Sequence, residues 1–421
     1  MNPVPPQSPS YGYGTAGPWT PPQGHATVPQ PPSYPGYGGH PSPGVEASPV
    51  ATPSTRRAGR VRIGIAGLVA GALIGGGAGA GVTALLDDPA GTSPTSAAAQ
   101  SVVIQNPETA TTATAAAAKA APSVVTIYVT SGSGSGSGSG VVLTDDGYVL
   151  TNNHVVTLDG AGTGTVQVRT SDGKLYDATV VGTDPASDLA VVRLSGASNL
   201  TPAGFADSSK VQVGDVAVAI GAPLGLSNTV TDGIISATNR AVATGSTQDD
   251  ATVIDALQTD AAINPGNSGG ALVDGSGKVI GINSAIATVA AGVPGSQSQS
   301  GNIGVGFAIP SNTAQRIAKE IIATGSATRA FLGVSARTAS DSPNSEVGTG
   351  AEVVSVESDS AAGQAGVQVG DVITAVDDRP VTTSTELTAA VRSHAPNDKV
   401  RLTVRRGNDT RTAEVTLGST K

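Results

Sequence analysis

From residue 120 onward the apolar positions fall in short β-rich runs, at 123–130, 140–143, 147–151, 165–170, 178–181, 190–194, 216–220 and 279–283. Asp-Gly, Gly-Ser and Asp-Pro turn signals separate them. No helical periodicity of any length appears before 312–323. Many short strands over about 200 residues predict an all-β barrel or sandwich. The Ser/Gly alternation at 131–140 lies between two of these runs and reads as an extended hairpin loop. A second unit follows the 312–323 helix. It occupies 329–419 and has one further stretch of helical apolar spacing, at 385–394.

Upstream the periodic pattern is lost. Residues 1–62 form a Pro-rich tail with pairs such as Pro5-Pro6, Pro21-Pro22 and Pro31-Pro32, which favour extended, solvated backbone over a packed core. We read it as disordered. Arg56, Arg57, Arg60 and Arg62 then precede an uncharged stretch, 63–86. At about 1.5 Å per residue this stretch is long enough for one transmembrane helix through a hydrocarbon core of about 30 Å. Arginines on its N-terminal side only, with Asp87-Asp88 beyond, orient the N-terminus to the cytoplasm and the rest of the chain outside. A cleaved signal peptide is the alternative, although such peptides start within the first residues of a chain. Residues 87–119 are Ala, Thr and Ser with little else and read as a flexible stalk.

Composition narrows the chemistry. With 56 glycines and only 3% aromatic residues, the chain suits tight turns and small side chains rather than a helical bundle. There is no cysteine, which excludes disulfides, a thiol nucleophile and thiolate metal ligands. The net charge is −9. Residues 1–86 hold four arginines against Glu46, a net +3, so the remainder carries −12. An acidic body of that kind is a poor partner for nucleic acid.

The sharpest local signal is Gly266-Asn267-Ser268-Gly269-Gly270. A serine nucleophile needs a base beside it and backbone N–H donors for the oxyanion it creates, and flanking glycines let the backbone supply them. Taken alone, the pentapeptide is equally a Gly-rich turn. It also fits the G-x-S-x-G pattern of α/β-hydrolases, but that fold needs the acid and the histidine after the serine. Here the one later histidine is His394, in the second unit. Of the other three, His25 and His40 lie in the tail and His154 lies in the β-rich region, at the end of a strand. Asp188, just ahead of an apolar run, is an acid that needs a buried partner, whereas Asp184 before Pro185 reads as a turn former. One histidine and no cysteine leave no plausible metal-ligand set (metal: none).

The order His154, Asp188, Ser268 is that of chymotrypsin-like proteases. The runs Thr151–Val156, Asp188–Val191, Gln258–Gly270 and Gly306–Pro310 resemble those of the HtrA (Deg) family of serine proteases over roughly 120–420. The resemblance implies a mainly β fold, with a chymotrypsin-like double β-barrel protease domain at 120–325 and one α+β PDZ domain at 329–419. It implies Ser268 as nucleophile, His154 as general base and then acid, and Asp188 as the residue that orients the imidazole. The N–H groups of Gly266 and Ser268 would form the oxyanion hole, in a loop that this family also holds in an inactive form. Ala262, six residues before the serine, would floor the S1 pocket and favour small or medium aliphatic side chains. Phe331-Leu332-Gly333-Val334 looks like the carboxylate-binding loop of PDZ domains, which capture hydrophobic C-termini as an added strand. Family members serve envelope protein quality control on misfolded substrates, usually as homo-trimers, without cofactors. Two alternatives stay open: a catalytically quiet scaffold or chaperone, and a PDZ domain that only packs.

Overall fold

The computed structural model describes residues 110–132, 134–158, 164–222, 229–244, 252–285, 304–340 and 347–420, together with Ile104 and Glu108. The Pro-rich tail, the expected span at 63–86 and most of the expected stalk lie outside them. Among the described residues no helix is long and apolar enough to cross a membrane.

The stalk expectation gives way at Thr112. Helix α1 (Thr112–Ala120) is capped by the Thr111 hydroxyl, which accepts from the Thr114 N–H at 3.2 Å, and it buries Ala116, Ala117 and Ala120. Composition marks this stretch as a linker, but alanine is the best helix former. Its methyl face packs into the core that joins the two barrels.

The first barrel is made of β1 (Val124–Ser131), β2 (Gly134–Val142), β3 (Tyr148–Thr151), β4 (Thr165–Arg169), β5 (Leu175–Asp184) and β6 (Leu189–Leu194), closing in the order β1-β2-β3-β6-β5-β4. A short helix α2 (Asn153–Thr157) follows β3. Strand alternation sorts the side chains of β1: Val125, Ile127 and Val129 fill the barrel, while Val124 faces the second barrel. The Ser/Gly run is mostly strand rather than loop, since Gly134–Val141 pairs residue by residue with Val124–Ser131. Its glycines serve close packing: a Cβ on Gly138 would lie 2.7 Å from Val155 and 3.2 Å from the Ser268 carbonyl.

The second barrel comprises β7 (Val216–Gly221), β8 (Thr229–Thr244), β9 (Thr252–Thr259), β10 (Ala271–Val273), β11 (Val279–Ser284) and β12 (Gly306–Pro310), in the order β10-β11-β12-β9-β8-β7. Leu257, Ile263, Leu272 and Ile280 pack inside it. Leu150, Leu189, Val218, Ile220 and Ile282 form the seam between the barrels. Helix α3 (Ser311–Thr324) covers that seam with Ala314, Ile317, Ala318 and Ile321, the apolar stripe its sequence predicts, and ends at Gly325 in the left-handed region.

The C-terminal unit contains β13 (Arg329–Phe331), β14 (Val334–Ala339), β15 (Gly350–Val356), helix α4 (Ala361–Gln364), β16 (Val372–Val376), β17 (Arg379–Pro380), helix α5 (Ser384–Arg392), β18 (Lys399–Arg406), β19 (Asp409–Thr416) and β20 (Gly418–Thr420). Its main sheet runs β14-β15-β16-β18-β19, with β17 paired to β16 and β13 to β20. A separate core of Leu332, Ala351, Val353, Ile373, Leu387, Leu402 and Val404 holds it together. Helix α5 also lies against β8 and β9 of the second barrel.

Candidate active site

Each barrel supplies half of the site. His154 stands in the first turn of α2 rather than on the strand before it, so the end of β3 aims it at the barrel seam. Asp188 follows the short 3-10 turn Pro185–Ser187 and is held in the left-handed region at φ 52°. It is 4% exposed. Its two carboxylate oxygens lie 3.0 and 2.9 Å from His154 Nδ1. Oδ1 also accepts from the His154 N–H at 3.0 Å, and Oδ2 from the Ser284 hydroxyl at 3.2 Å. Asn152 Nδ2 donates to the Asp188 carbonyl at 2.7 Å. A carboxylate surrounded by donors is an acceptor only. It therefore keeps the imidazole proton on Nδ1 and leaves Nε2 free to accept one.

Ser268 comes from the loop before β10 and is buried. Its Oγ accepts from the Ala285 N–H at 3.1 Å. That contact leaves the hydroxyl proton available, and among the described residues no hydrogen bond joins Ser268 to His154. Side chains of unliganded catalytic sites commonly tighten only when substrate binds. Gly266 has φ 97°, a backbone region open to glycine and strained for other residues. Among the described residues nothing accepts from the N–H of Gly266 or of Ser268, so two backbone donors stand free on either side of Asn267. Ala262 adjoins the same loop, its carbonyl accepting from Thr231 Oγ1 at 2.9 Å and from Asn267 Nδ2 at 3.3 Å.

The loop Phe331–Val334 lies apart from this cluster, between β13 and β14. The Leu332 carbonyl accepts from the Ala362 N–H and the Gly333 carbonyl from the Glu357 N–H, both at 2.9 Å. The N–H groups of Leu332 and Gly333 have no acceptor among the described residues.

Two polar residues of the site escaped the motif reading. Ser284 ends a strand whose every position is buried, and nothing in the sequence sets its hydroxyl apart. Ser139, also fully buried, was hidden inside the Ser/Gly repeat, where nothing distinguishes it from its neighbours.

With this geometry in view, comparison with known proteins is direct. Residues 138–282 match the family "Trypsin-like peptidase domain" and residues 330–417 the family "PDZ domain". Serine protease PepD of Mycobacterium tuberculosis is 48% identical over 285 residues, covering 66% of this chain and 60% of its own length. Serine protease Do-like HtrA of Lactococcus lactis subsp. lactis is 44% identical over 284 residues, 65% of this chain and 67% of that protein. The chain belongs to the HtrA family of serine proteases.

A solved structure of the HtrA-type protease AlgW with a decapeptide is similar at 32% identity and TM-score 0.53, covering 73% of this chain and 99% of that one. A second, with a tripeptide, is 36% identical at TM-score 0.55 and covers 73% of this chain and 97% of that one. This HtrA-family chain spans about two thirds or less of the length of the curated relatives described above. The peptidase match takes in His154, Asp188, Ala262, Gly266 and Ser268, and the PDZ match begins one residue before Phe331.

Proposed function

We propose that the chain is a serine endopeptidase in which Ser268 attacks the scissile carbonyl carbon and His154 Nε2 takes the hydroxyl proton. The attack breaks the carbonyl π bond and places the negative charge on its oxygen, between the N–H groups of Gly266 and Ser268. His154 then gives its proton to the leaving amine, the C–N bond breaks, and water repeats the sequence on the acyl-enzyme. Asp188 stays ionised and holds the imidazolium. The observation that supports this reading best is the Asp188 carboxylate at 2.9–3.0 Å from His154 Nδ1, across the seam from a serine whose own amide and that of Gly266 are unused. The mechanism calls on no metal or cofactor.

Ala262 offers no charge at the S1 floor, so cleavage after Val or Ala is expected rather than after Arg or Lys. The free amides of Leu332 and Gly333 suit the carboxylate of a hydrophobic C-terminus bound along β14, and AlgW is known in structures with a decapeptide and a tripeptide. A relative in Brucella suis carries the name "Probable periplasmic serine endoprotease DegP-like". In the same spirit we assign this chain to misfolded extracytoplasmic proteins, as a homo-trimer anchored in the cell membrane by residues 63–86.

The test is digestion of casein by the full chain beside its Ser268→Ala variant, with the new C-termini identified by mass spectrometry. Cleavage by the parent alone, mostly after small aliphatic residues, is the expected result. Equal cleavage by both would refute Ser268 as nucleophile, and dominant cleavage after Arg or Lys would refute the role of Ala262. Hydrophobic C-terminal peptides should raise the rate if the PDZ groove governs the Ser268 hydroxyl.

A further inference from the structure

Ser139 makes four hydrogen bonds, and three of them cross from the first barrel to the second. Its N–H donates to the Ser268 carbonyl at 2.8 Å. Its Oγ donates to the Gly266 carbonyl at 2.6 Å and accepts from the Ala222 N–H at 2.8 Å. Its carbonyl accepts from Thr151 Oγ1 at 2.7 Å, which ties it to the strand that leads into His154. The residue is fully buried, so no water replaces any of these contacts.

The bonds bear on the direction of the Ser268 N–H. The peptide unit between Gly266 and Asn267 is held at both ends: its carbonyl by Ser139 Oγ, and its N–H by the Asn264 carbonyl at 2.9 Å. The carbonyl of Ser268 is held by the Ser139 N–H. With those points anchored, the Asn267–Ser268 peptide, which carries the Ser268 N–H, lies between two fixed peptides, next to a glycine at φ 97°. A glycine flanked by flexible backbone has other conformations open to it. Without the hydroxyl, the Gly266 carbonyl and the Ala222 N–H are both buried and unpaired. A reoriented loop that satisfies them then competes with the one observed.

We propose that Ser139 is a positioning residue for the oxyanion-binding amide of Ser268, its hydroxyl and its N–H anchoring the peptides on either side of that donor so that it faces the developing charge. The inference rests on the endopeptidase reading above. It assigns Ser139 no contact with substrate. The effect therefore belongs to the chemical step and not to substrate binding, because misdirected donors lose the transition state while leaving the ground-state contacts in place.

The test uses the full chain with a short peptide substrate, comparing the parent with Ser139→Ala, Ser139→Cys and, as control, Ser268→Ala. Cysteine, slightly larger than serine, leaves no cavity but is a weak donor and acceptor, so it fills the space and loses the clamp. Expected are kcat values about 10- to 100-fold below the parent for both Ser139 variants, KM within about twofold, and melting temperatures lowered by several degrees but still above that of the assay. Labelling by a fluorophosphonate, which also draws on the oxyanion site, should slow in step with kcat. Should Ser139→Ala fail to fold, Ser139→Cys is read by the same criteria. A kcat within about twofold of the parent in the folded variant overturns the proposal, as does a loss carried wholly by KM. If Ser268→Ala retains the parent's activity, the endopeptidase reading itself fails, which separates the two outcomes.

Discussion

Asp188 sits in a backbone region that few side chains other than Asp, Asn and Gly tolerate, at φ 52°. Asp188→Asn is therefore a clean probe, since it keeps the left-handed turn and the volume and changes one oxygen to a donor. An Asn amide facing Nδ1 would hold the imidazole in the wrong tautomer, its proton on Nε2. The expected loss in kcat is about 10⁴-fold with an unchanged melting temperature, measured on the same peptide substrate. A loss under about tenfold would show that Asp188 does not orient the base. The candidate triad was legible in the sequence because His154 has no rival in the β-rich half, Ser268 sits among glycines, and Asp188 lies between them in a run that resembles the HtrA family's. Ser284 and Ser139 were not legible. A hydroxyl becomes a donor to a carboxylate or a clamp on a carbonyl only through neighbours far away in the chain.

Elements whose pattern matches their burial were read correctly from the sequence, and the ones that depend on a partner were not. Helix α3 and the strands β1, β6, β7 and β11 carry their periodicity openly. Helix α1 does not, because alanine and threonine spell a linker until a barrel surface buries one face. Within the PDZ unit, Asp371 shows how one side chain ties the turn before β16 to β18. Its carboxylate, 1% exposed, accepts from Arg406 Nε at 2.6 Å and Nη2 at 2.8 Å and from the Gln368 N–H at 2.8 Å. The Arg406 hydrogen bonds, opposed by burial, hold it below the usual carboxylate range. A lowered folded value means that the contribution to stability is present above the ordinary aspartate pKa and is lost as pH falls through the folded one. The PDZ unit should thus melt earlier as pH drops below about 4. Asp371→Asn should cost about 1–2 kcal/mol at neutral pH, discounted because Arg406 is 40% exposed. That variant should also flatten the acid limb of a melting-temperature series. A series that keeps the parent's slope would rule out Asp371 as its source.

At the scale of the whole molecule, the PDZ unit is joined to the second barrel by buried charge as well as by the packing of α5. Arg379 Nη1 lies 2.8 Å from Asp255 on β9, and its Nη2 donates to the Asn239 carbonyl on β8 at 2.8 Å. Burial pushes the Asp255 carboxyl above its ordinary value, against the opposing pull of Arg379. A raised folded value means that the contribution of Asp255 is full below the ordinary pKa and declines as pH rises through the folded one. Removing Arg379 raises that value further, so the cost of Arg379→Ala should be small in mild acid and grow toward neutrality. There it should reach about 1–3 kcal/mol. Hydrogen exchange across α5 and β9 at the two pH values would measure it. Equal exchange in parent and variant at neutral pH would show that the pair does not hold the junction.

The sequence by itself determined the division into a β-rich protease half and a PDZ-sized unit, the order His154, Asp188, Ser268 and the glycine-rich run around Ser268. These are local facts, written in short-range periodicity, in the single histidine of the β-rich half and in family-like runs at fixed spacing. The tertiary structure alone decided which polar groups meet across the seam: the Ser284 hydroxyl on Asp188, the Ser139 hydroxyl on Gly266, Arg379 on Asp255, and the alanine face of α1 in the core that joins the barrels. Each of these contacts joins residues far apart in sequence, and their value comes from burial, which strengthens a hydrogen bond or charge pair and penalises an unpaired partner. Burial is a property of the assembled barrels, not of any segment read alone.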